Sequence, residues 1–225
     1  MIIAIDGPAG AGKSTVAKLL AKKLGFLYID TGAMYRALTL KALDNNAVIS
    51  DEQAMSALAA GTAIRLVPSA DGPVKVVLDG KDVSLQVREP RVTKVVSDVA
   101  KIPGVRKIMV DLQRILGRSG DCILDGRDIG TVVFPGAEKK FFIDADFEER
   151  VNRRFKDLIN LKINGVSREQ VAADLKNRDT IDSTRKTSPL KKAQDAVYLD
   201  TTDLPIEMVV EKMFLLVKAR TAVPQ

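Results

Sequence analysis

Residues 7–15 read GPAGAGKST, and no other stretch restricts the fold of this chain so tightly. The pattern G-x-x-x-x-G-K-[ST] works only where a strand delivers a glycine-rich turn into a helix, because backbone N–H groups must converge on one point. Both neighbours are present. MIIAID at the amino terminus is a short β-branched run, and Val16, Leu19, Leu20 and Leu24 recur at helical spacing behind the motif. Gly7, Pro8, Ala9, Gly10, Ala11, Gly12, Lys13, Ser14 and Thr15 therefore read as a loop that wraps phosphates. Lys13 reaches the β/γ oxygens, and the Ser14 hydroxyl takes a place on Mg²⁺. A nucleoside triphosphate is the expected ligand.

The rest of the chain continues the alternation. FLYID, residues 26–30, is a second buried strand, and apolar residues three and four apart predict a helix over 33–43. Residues 62–68 and 74–79 flank SADGP, a hairpin signal. Helical spacing returns over 91–100 and over 105–117, the second entered through Pro103-Gly104. Strands are expected at 122–125, 140–145 and 196–200, with a long charged helical stretch over 147–182 and an amphipathic helix over 205–219. Strands alternating with helices imply an α/β fold, a parallel sheet flanked on both faces. The hairpin breaks that rhythm, so residues 60–100 are expected to form an inserted subdomain of a single domain.

Composition narrows the chemistry. With no histidine, Ser-His-Asp and Cys-His catalysis are excluded, and an ordinary zinc site is disfavoured. One cysteine rules out an internal disulfide and suits a reducing compartment; with no signal-like leader and no long apolar run, a cytoplasmic protein off the membrane is expected. The formal charge of +6 favours an anionic partner, but three Tyr, seven Phe and no Trp give few platforms for stacking nucleic-acid bases.

LDGRDIGTVVFPG, residues 124–136, is the second informative stretch. An apolar run stops in Asp125, Arg127 and Asp128, charges that suit a metal, a phosphate or the edge of a small molecule. No guanine-reading N-K-x-D occurs, and the chain is small for a motor ATPase. A kinase of a small acceptor fits best, with mobile parts closing over both substrates to exclude water.

DTGAMYR (30–36), SDVAKIPGVR (97–106), DGRDIGTVVFP (125–135) and RDTIDSTR (178–185), together with the phosphate loop, resemble the bacterial-type cytidylate kinase family along essentially the whole chain. The resemblance implies a P-loop fold with an inserted subdomain for the nucleoside monophosphate and a helical lid. It implies transfer of the γ-phosphoryl group of ATP to CMP or dCMP. By the same resemblance Thr31, Arg36, Arg127 and Arg185 contact the acceptor phosphate. Asp128 and Arg106, with Ser97 nearby, read cytosine, a base that needs an acceptor for its N4 amino group. Arg178 and Asp182 lie near the sugar. Asp125 orients Mg²⁺, with Asp30 an equal candidate.

Residues 147–185 are expected to form the lid, where Arg150 and Arg154, one turn apart, can both face the γ-phosphate or simply pair with Glu148 and Glu149. Lys13, Arg127, Arg150, Arg154 and Arg185 are thus the expected catalytic set. Two rivals stay open: a kinase of another small acceptor, and a nucleotide-switched RNA-binding protein. A monomer is expected.

Overall fold

The computed structural model describes residues 1–67, 74–118, 120–160 and 165–219. Its centre is a five-stranded sheet of β1 (Ile2–Asp6), β2 (Leu27–Asp30), β6 (Cys122–Gly126), β7 (Lys139–Asp144) and β8 (Val197–Asp200), in the order β2-β6-β1-β7-β8. Every pairing is parallel. Parallel strands are covered on both faces and so read as apolar runs; Ile3, Ala4, Ile5, Ile123 and Leu124 are fully buried.

Ile3, Ile5, Phe141 and Ile143 pack under α1 (Lys13–Leu24) and α8 (Ile206–Lys218), while Ala4, Ile29 and Leu124 face α5 (Pro103–Gly117). A second core joins α2 (Thr31–Asp44), α3 (Glu52–Ala60), α4 (Pro90–Ala100) and α5 to an antiparallel sheet of β3 (Ile64–Val67), β4 (Lys75–Leu78) and β5 (Lys81–Asp82). The α/β class and the antiparallel pair are as the sequence implied. The SADGP turn lies outside the described residues.

Three elements differ from expectation. Helix α3 was not anticipated; its signal is Asp51, whose side chain accepts from Ala54 N at 2.9 Å before an alanine-rich run. The single charged helix over 147–182 is two helices, α6 (Phe147–Asn160) and α7 (Arg168–Thr184). Ser167 caps the second by accepting from Gln170 N at 3.2 Å, and Gly165 precedes it at φ +79°. Residues Ile129–Val133, after β6, form a π-helical turn held by Asp6, which accepts from Ile129 N at 2.8 Å and Gly130 N at 2.7 Å.

Candidate active site

The parallel register puts Asp30 beside Asp125 and Asp125 beside Ile5, so three strands end at one edge of the sheet. Ligands of such sheets gather at the carboxyl ends of the strands. A cleft of about 1070 Å³ opens there.

One end of the cleft is the phosphate loop. Gly7 and Gly10 have φ of +148° and +78°, and an added Cβ would stand 1.9 Å from the Ile143 carbonyl oxygen or 2.9 Å from that of Arg150. Only glycine lets the backbone pass so close. Gly12, also left-handed, caps α1 without a side-chain acceptor, and no acidic residue occupies the helix's first turn. The free N–H groups and the positive end of the helix therefore face the cleft uncompensated. Lys13 is 5% exposed and donates to the Pro8 carbonyl at 2.6 Å. Burial, then the charge of Arg127, push its ammonium pKa well below the ordinary value. An anion seated between the two cations reverses that pressure.

Next to the loop, Ser14 Oγ donates to Asp125 Oδ2 at 2.5 Å and Tyr28 donates to Asp125 Oδ1 at 2.9 Å. Burial and the neighbouring Asp30 raise the pKa of Asp125. For Asp30 burial works upward too, but Arg36 and the Ala33 amide carry it below its ordinary value. Its oxygens are occupied by Ala33 N at 2.8 Å and Arg36 Nη2 at 3.0 Å. The two metal candidates thus differ. Ser14 and Asp125 offer a hard hydroxyl and a carboxylate side by side, which fits Mg²⁺ on a nucleotide, an ion that takes few protein ligands and keeps phosphates and waters. No cluster of three or more acidic or sulfur/imidazole ligands exists among the described residues. Thr31 donates to the Asp125 carbonyl at 2.7 Å and so braces the end of β6.

The other end of the cleft is an arginine–aspartate lattice. Asp128 Oδ2 accepts from Arg106 Nη2 at 2.5 Å, and Arg185 Nη2 lies 3.7 Å from its other oxygen. Arg106, 2% exposed, also donates to the Ala100 carbonyl at 3.1 Å. Arg127 Nε donates to Asp182 Oδ2 at 2.9 Å, and Arg185 Nη1 stands 3.4 Å from Asp182 Oδ1. Burial would raise Asp182, but Arg127, Arg178 and Arg185 hold it below the usual carboxylate range. Burial and Arg127 push the Arg178 guanidinium down to about 9, still cationic at neutral pH. Ser97 on α4 lines the cleft. Tyr35 OH, Arg36 Nε, Arg106 Nε, Arg178 Nε and Arg185 Nη2 are buried with no hydrogen-bond partner, although such atoms are normally satisfied. Five orphans around one cleft point to a polar, anionic occupant.

The two expected arginines of α6 divide. Arg154 lines the cleft, with burial as the first cause of its lowered pKa. Arg150, expected beside it, does not line the cleft. It is 8% exposed and donates to the Ala145 carbonyl at 3.1 Å and the Ala9 carbonyl at 3.0 Å, and it pairs with Asp179. Its Nε and Nη1 are committed to protein and the side chain lies outside the cleft, so the expected placement of Arg150 beside Arg154 over the γ-phosphate is corrected. The expected partners also fail: Glu149 pairs with Arg153 at 2.9 Å and Glu148 pairs with Arg168.

Arg153, which the sequence reading passed over, lines the cleft and is tied to Thr201 Oγ1 at 3.0 Å. Arg88 and Tyr35 also line the cleft, while Tyr28 and Asp6 support it from behind; Tyr35 lies within DTGAMYR, and the other three are brought to the site by the fold. In all, eleven lysines and arginines but seven acids line the cleft, so its surplus is positive.

A protein-family model described as Cytidylate kinase matches residues 3–219. The chain is 51% identical over 219 residues to a cytidylate kinase from Caldanaerobacter subterraneus subsp. tengcongensis, covering 97% of this chain and 95% of that one. It is 50% identical over 213 residues to a cytidylate kinase from Carboxydothermus hydrogenoformans, covering 95% of each. Among solved structures, an uncharacterized protein from Eubacterium ventriosum superposes with a TM-score of 0.52 over 98% of this chain and 99% of that one. At 12% identity that likeness speaks for the fold alone.

Proposed function

The chain belongs to the cytidylate kinase family, and we propose how its own side chains move the γ-phosphoryl group of ATP to CMP or dCMP. One observation carries the assignment of roles. A bare helix N-terminus with Lys13 forms one end of the cleft, and a carboxylate fixed between two partly unpartnered arginines forms the other.

The loop amides of residues 10–15 and Lys13 hold the β- and γ-phosphates of the donor. Arg36, Arg127 and Arg185 hold the acceptor phosphate, since their guanidinium forks match its oxygens, and Arg178 stands near the sugar. Asp128 accepts from the cytosine N4 amino group through lone pairs left free by Arg106. Arg106 and Ser97 serve the remaining base edge. Asp182 orients Arg127 and Arg185 and stands beside the sugar.

Ser14 and Asp125 would hold Mg²⁺, which when bound supplies charge neutralisation at the β/γ oxygens. The attacking atom is a phosphate oxygen whose second proton is lost near pH 6, so no histidine base is needed. Positioning, charge stabilisation and exclusion of water by α6 and α7 supply the rest, with Arg153 and Arg154 on the donor side. The positive surplus faces a nucleotide cleft, which favours small anions over nucleic acid. The single cysteine at 122, buried, suits a reducing compartment such as the cytoplasm.

The test is ADP release measured with CMP, dCMP, UMP and other monophosphates in turn. CMP and dCMP are the preferred acceptors. Preference for any other acceptor would overturn the assignment of Asp128 to the base.

A further inference from the structure

The phosphate-loop residue Ala9 is gripped on three sides by the lid. Its N–H donates to Asp179 Oδ1 at 3.2 Å, and its carbonyl accepts from Arg150 Nη1 at 3.0 Å. Arg150 Nη1 also bonds the second oxygen of Asp179, which closes a ring through both helices. The Ala9 methyl joins a small apolar cluster whose other buried members, Val151, Val171 and Leu175, all come from α6 and α7. Both polar groups of one peptide position and its side chain are therefore committed to the lid.

Asp179 sits on the same helix as the acceptor-side residues. Asp182, one turn on, binds Arg127, and Arg185 caps the helix between Asp182 and Asp128. One helix thus touches the donor loop at residue 9 and the acceptor lattice at residues 182 and 185.

We propose that Asp179 and Arg150 are positioning residues that lock the phosphate loop to α7, fixing the distance between donor and acceptor phosphates. Neither residue lines the cleft. The inference rests on the phosphoryl-transfer reading above. Its chemical content is alignment: transfer needs the attacking oxygen and the γ-phosphorus in line, and displacement by about 1 Å costs about a hundredfold in rate. Binding of either nucleotide alone needs no such alignment.

The test compares Asp179→Ala, Arg150→Met and the double variant with the parent protein. The readouts are kcat for CMP and the Kd of ATP and of CMP, each measured alone by calorimetry. Both single variants should lose tenfold or more in kcat while each Kd stays within about threefold, and the double variant should lose little more than the worse single one, because one clamp is broken either way. Two results overturn the clamp: kcat within threefold of the parent in either single variant, or losses that multiply in the double variant. A loss of kcat matched by equal weakening of both Kd values also overturns it, since that reports general unfolding of the site. An inactive parent enzyme would instead count against the phosphoryl-transfer reading, so the two failures stay distinct.

Discussion

Two aspartates, 128 and 6, are both nearly inaccessible, and their surroundings give them different work. Asp128 is held by Arg106, faced by Arg185, and lines the cleft. Asp128→Ala should lower CMP phosphorylation more than UMP phosphorylation, because uracil has no amino group to lose. A hydrogen bond to a charged group is worth about 1.5–3 kcal/mol, so the CMP/UMP ratio of kcat/KM should fall roughly ten- to a hundredfold. Arg127→Ala should weaken both acceptors by a common factor, since the phosphate is the same on either. Equal loss for both acceptors in Asp128→Ala would leave it the role of organising Arg106 and Arg185. Asp6 does another job, accepting two amides of the π-helical turn that follows Arg127 and Asp128. Burial raises its pKa to about 6, against an ordinary value near 3.8. The folded state therefore holds this proton more tightly than the unfolded state. Its contribution to stability is full below about pH 4 and is lost as pH rises to about 6, by roughly 2–3 kcal/mol. Asp6→Asn removes that pH-dependent part, although losing one amide acceptor adds a constant cost. In urea unfolding, the difference between variant and parent should shift in favour of the variant from pH 4 to pH 6.5. A difference that stays constant over that range would sink this account.

At the scale of elements, α6 and α7 line one side of the cleft with Arg153, Arg154, Arg178 and Asp182. Their own apolar cluster is small, with Ala9, Val151, Val171 and Leu175 as its buried members. Elements with few buried apolar contacts open at low free-energy cost. Amide hydrogen exchange over Phe147–Asn160 and Arg168–Thr184 should be faster than in β1 and β6, and should slow markedly when an ATP–CMP bisubstrate mimic binds. Equal protection with and without the mimic would mean these helices do not close. The helix also shows why periodicity misled at Arg150. Residues four apart share a face, but each turn rises about 5.4 Å, which is enough to put Arg150 under the phosphate loop and Arg154 over the cleft. Sharing a face is not sharing a target. Arg153, off that face, reaches the cleft because Thr201 at the end of β8 holds it there.

For the whole molecule, the cleft joins donor and acceptor sites, so ligands should stabilise the fold globally. ATP at a hundred times its Kd should add about 2.7 kcal/mol, which for a chain of this size raises Tm by roughly 5–10 °C. Lys13→Ala should need more ATP for the same shift and should lose about a hundredfold or more in kcat, as it removes charge stabilisation rather than packing. An unchanged Tm in the parent at saturating ATP would refute the phosphate site. The amino-acid sequence alone determined the phosphate loop and the alternation of strands and helices, while the stretches at 30–36, 97–106, 125–135 and 178–185 were legible through family resemblance. The loop and the alternation depend on neighbours within one turn, strand or loop, where spacing maps directly to geometry. Only the tertiary structure decided that Asp6 holds the turn after Asp128 from 123 positions away. It alone separated Asp125 from Asp30, by giving Arg36 to one and Ser14 to the other. It alone spent Arg150 on Ala9 and Asp179. These outcomes depend on which buried polar group finds a partner first, and packing distances between remote segments, not sequence spacing, decide that.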